Sequence, residues 1–223
     1  MSNIEKVSDI IASKLATKLI MDSNEEEVLA YGAFLLIQTI MSILLVLVFG
    51  FVFNVIIEII IISVSASILR KYSGGAHATS PINCAIIGMI VFGVLSLLVK
   101  QFLFNFIFWH LTLIIIVSFV IDFYIIYKYS PVGTVTKPLK NEIKRKRLKR
   151  ISINCVIGLF ISSIILLSIY LYTKQIILIN IATCISVGVV WQSITLVSLG
   201  QKIIDFMDKV LGGTNKILRR TNK

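Results

Sequence analysis

The chain has 223 residues, of which 57% are hydrophobic and only 15% charged. Soluble domains carry roughly 25% charged residues, so this composition excludes an ordinary soluble domain. The net charge of +11 has no aromatic-interleaved basic groove or nucleic-acid fold signature beside it; no nucleic-acid partner is expected.

In chain order, residues 4 to 20 predict an amphipathic helix. Ile4, Val7, Ile11, Leu15 and Leu19 fall on one face, at a spacing of three or four. Lys14 and Lys18 flank that face, where their stems reach toward headgroups. Such a helix lies on a membrane or packs on the protein's own cytosolic ends. Glu5, Lys6 and Asp9 leave no compact apolar run before a small-residue cleavage site, so no cleavable signal peptide is expected. In "DSNEEE", Ser23 or Asn24 caps the next helix and Glu25 to Glu27 suit its positive end. Three consecutive carboxylates cannot converge on one side of a helix, so no metal site is expected there.

Apolar runs of about 18 to 24 residues follow, each long enough to cross a hydrocarbon core of about 30 Å. We place six spans near 28–50, 52–69, 82–99, 103–127, 151–172 and 176–199. The expected fold is an all-α, six-span membrane protein. Segment 1–27 is its amphipathic cytosolic start, and 200–223 its basic amphipathic tail.

Orientation follows from Lys and Arg in the short loops. The 50–54 turn has none, and the 3–4 and 5–6 loops have Lys100 and Lys174 alone. Arg70 and Lys71 lie in the 2–3 loop; nine basic residues lie between Lys128 and Arg150, and six in the tail. Both termini and the 2–3 and 4–5 loops therefore face the cytosol. The run "KNEIKRKRLKR" is mainly a topology anchor, with anionic lipid or an acidic peptide as secondary partners.

Within the spans, "SVSAS" at 63 to 67 offers a small-residue surface for close helix packing. Glu58 and Asp122 are the acidic residues inside spans, and intramembrane carboxylates are functional candidates by default. Asp122 lies near the expected depth of Cys84; it orients His77 or makes a helix–helix contact. Glu58 belongs near the outer side, a candidate partner for Lys100 or Lys174. His110 reads as interfacial. Cys155 and Cys184 read as packing residues, and the three cysteines do not form a disulfide framework. In the tail, Ile203, Phe206, Met207, Val210 and Leu211 line one face, ended by Gly212 and Gly213.

The stretch "RKYSGGAHATSPINCAI", 70 to 86, concentrates chemistry between two spans. Ser80 is a suitable N-cap and Pro81 a suitable first helical residue, placing Cys84 in the first turn of span three. A helix N-terminus favours a thiolate. Gly74 and Gly75 let the preceding loop bend sharply and fold His77 back. An imidazole beside a thiol can take its proton and later return it to a leaving amine. Backbone N–H groups at the helix start could cradle an oxyanion. Spacing alone also allows a chance Cys and His.

"RKYSGGAHATSPINC" resembles the signature of the accessory gene regulator B family, membrane peptidases of Gram-positive quorum sensing. The shared pattern is an Arg, a Gly-x-His core and a Cys seven residues after the His. "YSPVGTVTKPLK", 129 to 140, is similar to a second family stretch that precedes a basic run. The resemblance implies a cysteine endopeptidase of the bacterial cytoplasmic membrane, acting at its cytosolic side without a cofactor. It implies Cys84 as nucleophile and His77 as base and acid, with Gly75 shaping the backbone. Arg70 holds a substrate carboxylate or anchors span two. The implied substrate is a short precursor with an amphipathic leader and an acidic tail. Its C-terminal segment is removed through a Cys84 thioester, giving a thiolactone or lactone ring. Lys144, Arg145, Lys146 and Arg147 could attract the acidic tail, and a homodimer fits the family. The alternatives are a non-enzymatic transport component, in which Glu58 and Asp122 bind a ligand or ion, and a structural scaffold.

Overall fold

The computed structural model describes residues 3–103, 108–133 and 141–212. Among them the chain is all-helical: α1 (Asn3–Leu19), α2 (Ser23–Val52), α3 (Ile56–Ser73), α4 (Pro81–Leu103), α5 (Phe108–Tyr129), α6 (Glu142–Thr173), α7 (Ile176–Ile194) and α8 (Ser198–Val210). Five of these, α2 and α4 to α7, are long and apolar enough to cross a membrane. Helix α3 has 18 residues and carries Glu58, Arg70 and Lys71.

The chain forms two compact units, Met1–Leu45 and Val46–Lys223. In the first, α1 buries Ile4, Ser8, Ala12 and Ala16, a stripe spaced by four residues. The larger residues of the expected apolar face, Val7, Ile11, Leu15 and Leu19, are exposed. The cap of α2 is neither Ser23 nor Asn24. Asp22 Oδ1 accepts from the Glu25 backbone N–H at 2.7 Å, and Glu25 Oε2 accepts from the Asp22 N–H at 3.1 Å. This reciprocal pair satisfies donors that a helix start leaves unpaired.

In the second unit, α3, α4, α5 and α6 all pack on α7. The reason lies in its small residues. Ala182, Cys184, Ser186 and Gly188 are buried, so neighbouring backbones approach closely, and in lipid such packing replaces the hydrophobic drive. A Cβ on Gly188 would sit 2.6 Å from Ile62 O and 3.0 Å from Ser65 Cβ, the small surface of α3 that the sequence predicted. Ile115, Phe119 and Ile126 of α5 and Val156 and Leu167 of α6 complete the core with Val189 of α7.

Polar side chains pin these helices together. Asn180 Nδ2 donates to Glu58 Oε1 at 2.8 Å, and Cys184 Sγ donates to Asn180 Oδ1 at 3.4 Å. Glu58 thus pairs with α7 rather than with Lys100 or Lys174. Lys100 Nζ instead donates to Asn54 O at 2.7 Å, and Lys174 sits over the Tyr170 ring.

Several helix boundaries differ from the predicted ones, and three of these differences bear on the loops between helices. Arg70 and Lys71 occupy the last turn of α3, not a loop. The basic run is helical from Glu142, because Asn141 Oδ1 caps it by accepting from the N–H groups of Ile143 at 2.9 Å and Lys144 at 3.2 Å. The sixth apolar helix ends at Ile194, not 199, and the chain turns there into α8. Pro138, Lys140 and Gly213 lie outside the described residues.

Candidate active site

The last turn of α3, the 74–80 loop and the first turn of α4 form one polar assembly. Ser80 caps α4 as expected: its Oγ accepts from the Asn83 N–H at 3.1 Å, and its carbonyl accepts from the Cys84 N–H at 3.0 Å. Cys84 therefore stands in the first turn, half-buried and outside any disulfide. Such a turn offers a thiolate the positive end of the peptide dipoles.

The glycine pair has a structural cause. Gly74 has φ of +72° and Gly75 of +140°, left-handed geometry that disfavours side chains. Both are also crowded. A Cβ on Gly74 would run into Val132 O, and one on Gly75 would lie 2.7 Å from Thr195 Oγ1 and 3.2 Å from Gln192 Nε2.

The neighbours that crowd the loop also hold it. Gln192 Nε2 donates to Gly74 O at 2.7 Å and to Ser73 Oγ at 3.0 Å. The Ala76 N–H donates to Thr195 O at 3.2 Å, and the Val132 N–H donates to Ser73 O at 2.8 Å. A parallel bridge joins Gly74 to Val132. The described start of the second stretch thus pairs, at Val132, with Ser73 and Gly74 of the first, and the end of α7 cradles the 74–76 loop. Gln192, Thr195 and Ser73 were not singled out in the sequence. The available signal was a glutamine inside an apolar span, where a polar side chain needs a partner.

Arg70 reaches into this assembly. Its guanidinium donates to Ala76 O and lies 3.1 Å from His77 Nδ1. It also stands close enough to Cys84 for a charge interaction. This geometry ties Arg70 to the 74–80 loop as well as to the end of α3. A guanidinium can only donate, so Nδ1 is the acceptor and the neutral ring carries its proton on Nε2. Burial by the surrounding loop, and then the Arg70 charge, push the His77 pKa down to about 4. As a residue His77 is exposed on one side, so water screens part of both effects. Among the described hydrogen bonds, none joins Cys84 Sγ to His77.

Asp122 is buried in α5 against Ser193 of α7, and no described hydrogen bond brings it to His77. Among the described residues, its Oδ2 and Ser193 Oγ have no hydrogen-bond partner. Lys144, Arg145, Lys146 and Arg147 are exposed on the first turns of α6. Among the described residues no cluster of three or more metal-ligating side chains occurs.

The sequence profile described as accessory gene regulator B matches residues 7–196. This chain belongs to the accessory gene regulator B family. It is 39% identical to an AgrB-like protein of Clostridium perfringens (strain 13), over 96% of this chain and all of that one. It is 30% identical to accessory gene regulator protein B of Staphylococcus aureus (strain MW2), over 75% of this chain and 80% of that one. An AgrB-like protein of Listeria innocua is 27% identical over 90% of this chain and 89% of its own length. No solved structure matches the chain.

Proposed function

We propose that this AgrB family member is a membrane cysteine endopeptidase that processes a short signalling-peptide precursor for quorum sensing. In this reading α3 is a sixth span. Both termini, the 74–80 loop and the start of α6 face the cytosol of a bacterium. The observation that carries the reading is that the α3–α4 junction brings together Arg70 in the last turn of α3, His77 on the loop and Cys84 in the first turn of α4, with Arg70 in contact with the His77 ring.

The chemistry follows from that arrangement. His77 takes the Cys84 proton, and the thiolate attacks a backbone carbonyl near the precursor's C-terminal end. A C–S bond forms and the carbonyl electrons move onto oxygen. Collapse breaks the C–N bond, and His77 returns the proton to the leaving amine. The acyl chain stays on Cys84 as a thioester. An internal Cys or Ser of the same chain then attacks that carbonyl and gives its proton to His77. The Cys84 thiolate leaves, and the ring closes as thiolactone or lactone. A tethered nucleophile at high effective molarity outruns water.

The resting contact bears on the first step. Nδ1 accepts from Arg70 and Nε2 carries the ring proton, so His77 takes a proton only after Arg70 releases Nδ1. The basic turns of α6 suit an acidic precursor tail. Basic charge there opposes the positive end of the helix, so helix stability does not explain it.

The test is cleavage of a tagged precursor by the purified protein in lipid vesicles. Cys84→Ala abolishes product, and His77→Ala lowers the rate by roughly 10²–10⁴-fold. Folded variants that both cleave at the wild-type rate would remove the assignment.

A further inference from the structure

The segment between His77 and Cys84 is pinned at both ends by one continuous piece of chain. On the His77 side, Thr195 O accepts from the Ala76 N–H at 3.2 Å. On the Cys84 side, Asp208 of α8 accepts twice: from the Thr79 N–H at 2.9 Å on Oδ2, and from Asn83 Nδ2 at 2.7 Å on Oδ1. These two donors flank the Ser80–Pro81 start of α4. Asp208 is buried at 4% exposure, so its carboxylate is not a surface charge drifting near the helix. Burial works against its charge, but the bonds from Asn83 and Thr79 outweigh it and hold the carboxyl below the usual carboxylate range.

Helix α8 is built to deliver this group. Gly200, Ile204 and Asp208 recur every four residues and are its buried residues. A Cβ on Gly200 would lie 2.7 Å from Thr195 Cα, so the glycine lets α8 turn tightly off the end of α7. Leu199, Phe206 and Val210 form a second, apolar and exposed face, suited to a membrane surface. The sequence showed the apolar face, not the docking face.

We propose that Asp208 is a positioning residue for the Cys84 nucleophile. Its carboxylate fixes Thr79 and Asn83, and so sets where the first turn of α4 presents the thiol relative to the Thr195-anchored loop that carries His77. This rests on the reading of Cys84 as nucleophile. No described bond links Cys84 to His77, so their spacing depends on how the loop and the start of α4 are held, and Asp208 is the side chain of α8 that holds the α4 end.

A side-chain exchange tests it. Asp208→Asn leaves one acceptor for two donors, and Asn83→Asp sets two carboxylates against each other. The double exchange restores both bonds: the amide now at position 208 would accept from the Thr79 N–H and donate to the carboxylate now at position 83. The full-length protein in vesicles is assayed for precursor cleavage and for the rate of Cys84 alkylation by a small maleimide. Each single variant lowers kcat roughly 10- to 100-fold with KM little changed, alters the alkylation rate, and is largely rescued in the double variant. Asp208→Ala behaves as the single variants; if it fails to fold, the near-isosteric exchange still decides. Wild-type kcat in Asp208→Asn, or a folded double variant no faster than the singles, overturns the proposal. Cleavage by Cys84→Ala would instead overturn the nucleophile assignment on which it rests.

Discussion

Arg70 holds the His77 ring at Nδ1 and the loop at Ala76 O, so its charge and its geometry act on the same base. The charge lowers the proton affinity of the ring, after burial, and the donated bond fixes the tautomer. Arg70→Gln keeps a donor and removes the charge. The acid limb of kcat/KM, set by protonation of His77, should therefore move from near pH 4 upward toward the ordinary 6.5. A pH–rate profile measures this, and an unmoved limb would detach Arg70 from the base. Gly75→Ala tests the loop itself. A methyl there meets Thr195 Oγ1 at 2.7 Å with φ at +140°. We expect a loss of about 1–3 kcal/mol in stability, read as a lower midpoint of thermal unfolding in detergent, together with lost cleavage. Unchanged unfolding would mean that the loop is not clamped as described.

At the scale of elements, α7 is both the packing hub and the clamp on the 74–76 loop. Gln192→Leu removes the donor to Gly74 O and Ser73 Oγ and leaves the Ser73 hydroxyl as the side-chain donor to Gly74 O, at 3.2 Å. The loop loses its side-chain tie to α7, and each such bond is worth about 0.5–1.5 kcal/mol net, so this variant should unfold earlier and cleave more slowly. Intact stability and activity would deny the clamp. At α6, exchanging Lys144, Arg145, Lys146 and Arg147 for Gln should raise KM for an acidic-tailed precursor and flatten its salt dependence, with kcat little changed. Local signals reached part of this arrangement. The Ser80 cap, the place of Cys84 in the first turn and the small-residue face of α3 were legible because each depends on neighbours a few residues away. Val132 on Ser73, Gln192 on Gly74 and Asp208 on Asn83 were not, because they join residues some 60 to 130 positions apart. The basic run read as a loop because its charge ends a hydropathy window, while the Asn141 cap starts the helix before the apolar stretch begins.

For the whole molecule, hydropathy gave the helical membrane class, since long apolar runs allow little else. It could not supply the turn after Ile194, which converts a predicted span end into the surface helix α8. Acid should loosen the assembled bundle. The His77 pKa is lower in the folded protein than its ordinary value, so that contribution is complete above about pH 6.5 and is lost as pH falls toward 4. The Asp208 carboxyl is likewise lowered, so its contribution is present above the ordinary carboxylate range and lost as pH falls through its folded value. Unfolding midpoints between pH 7 and 4 should fall, by a modest amount because His77 is exposed. The central claim is that Cys84 carries the acyl group. The most direct measurement is mass spectrometry of the purified protein, quenched in acid during turnover with precursor. The account predicts a hydroxylamine-sensitive adduct of the N-terminal precursor fragment on the peptide containing Cys84, absent in Cys84→Ala. Cleavage with the adduct on another residue, or undiminished in Cys84→Ala, would contradict it.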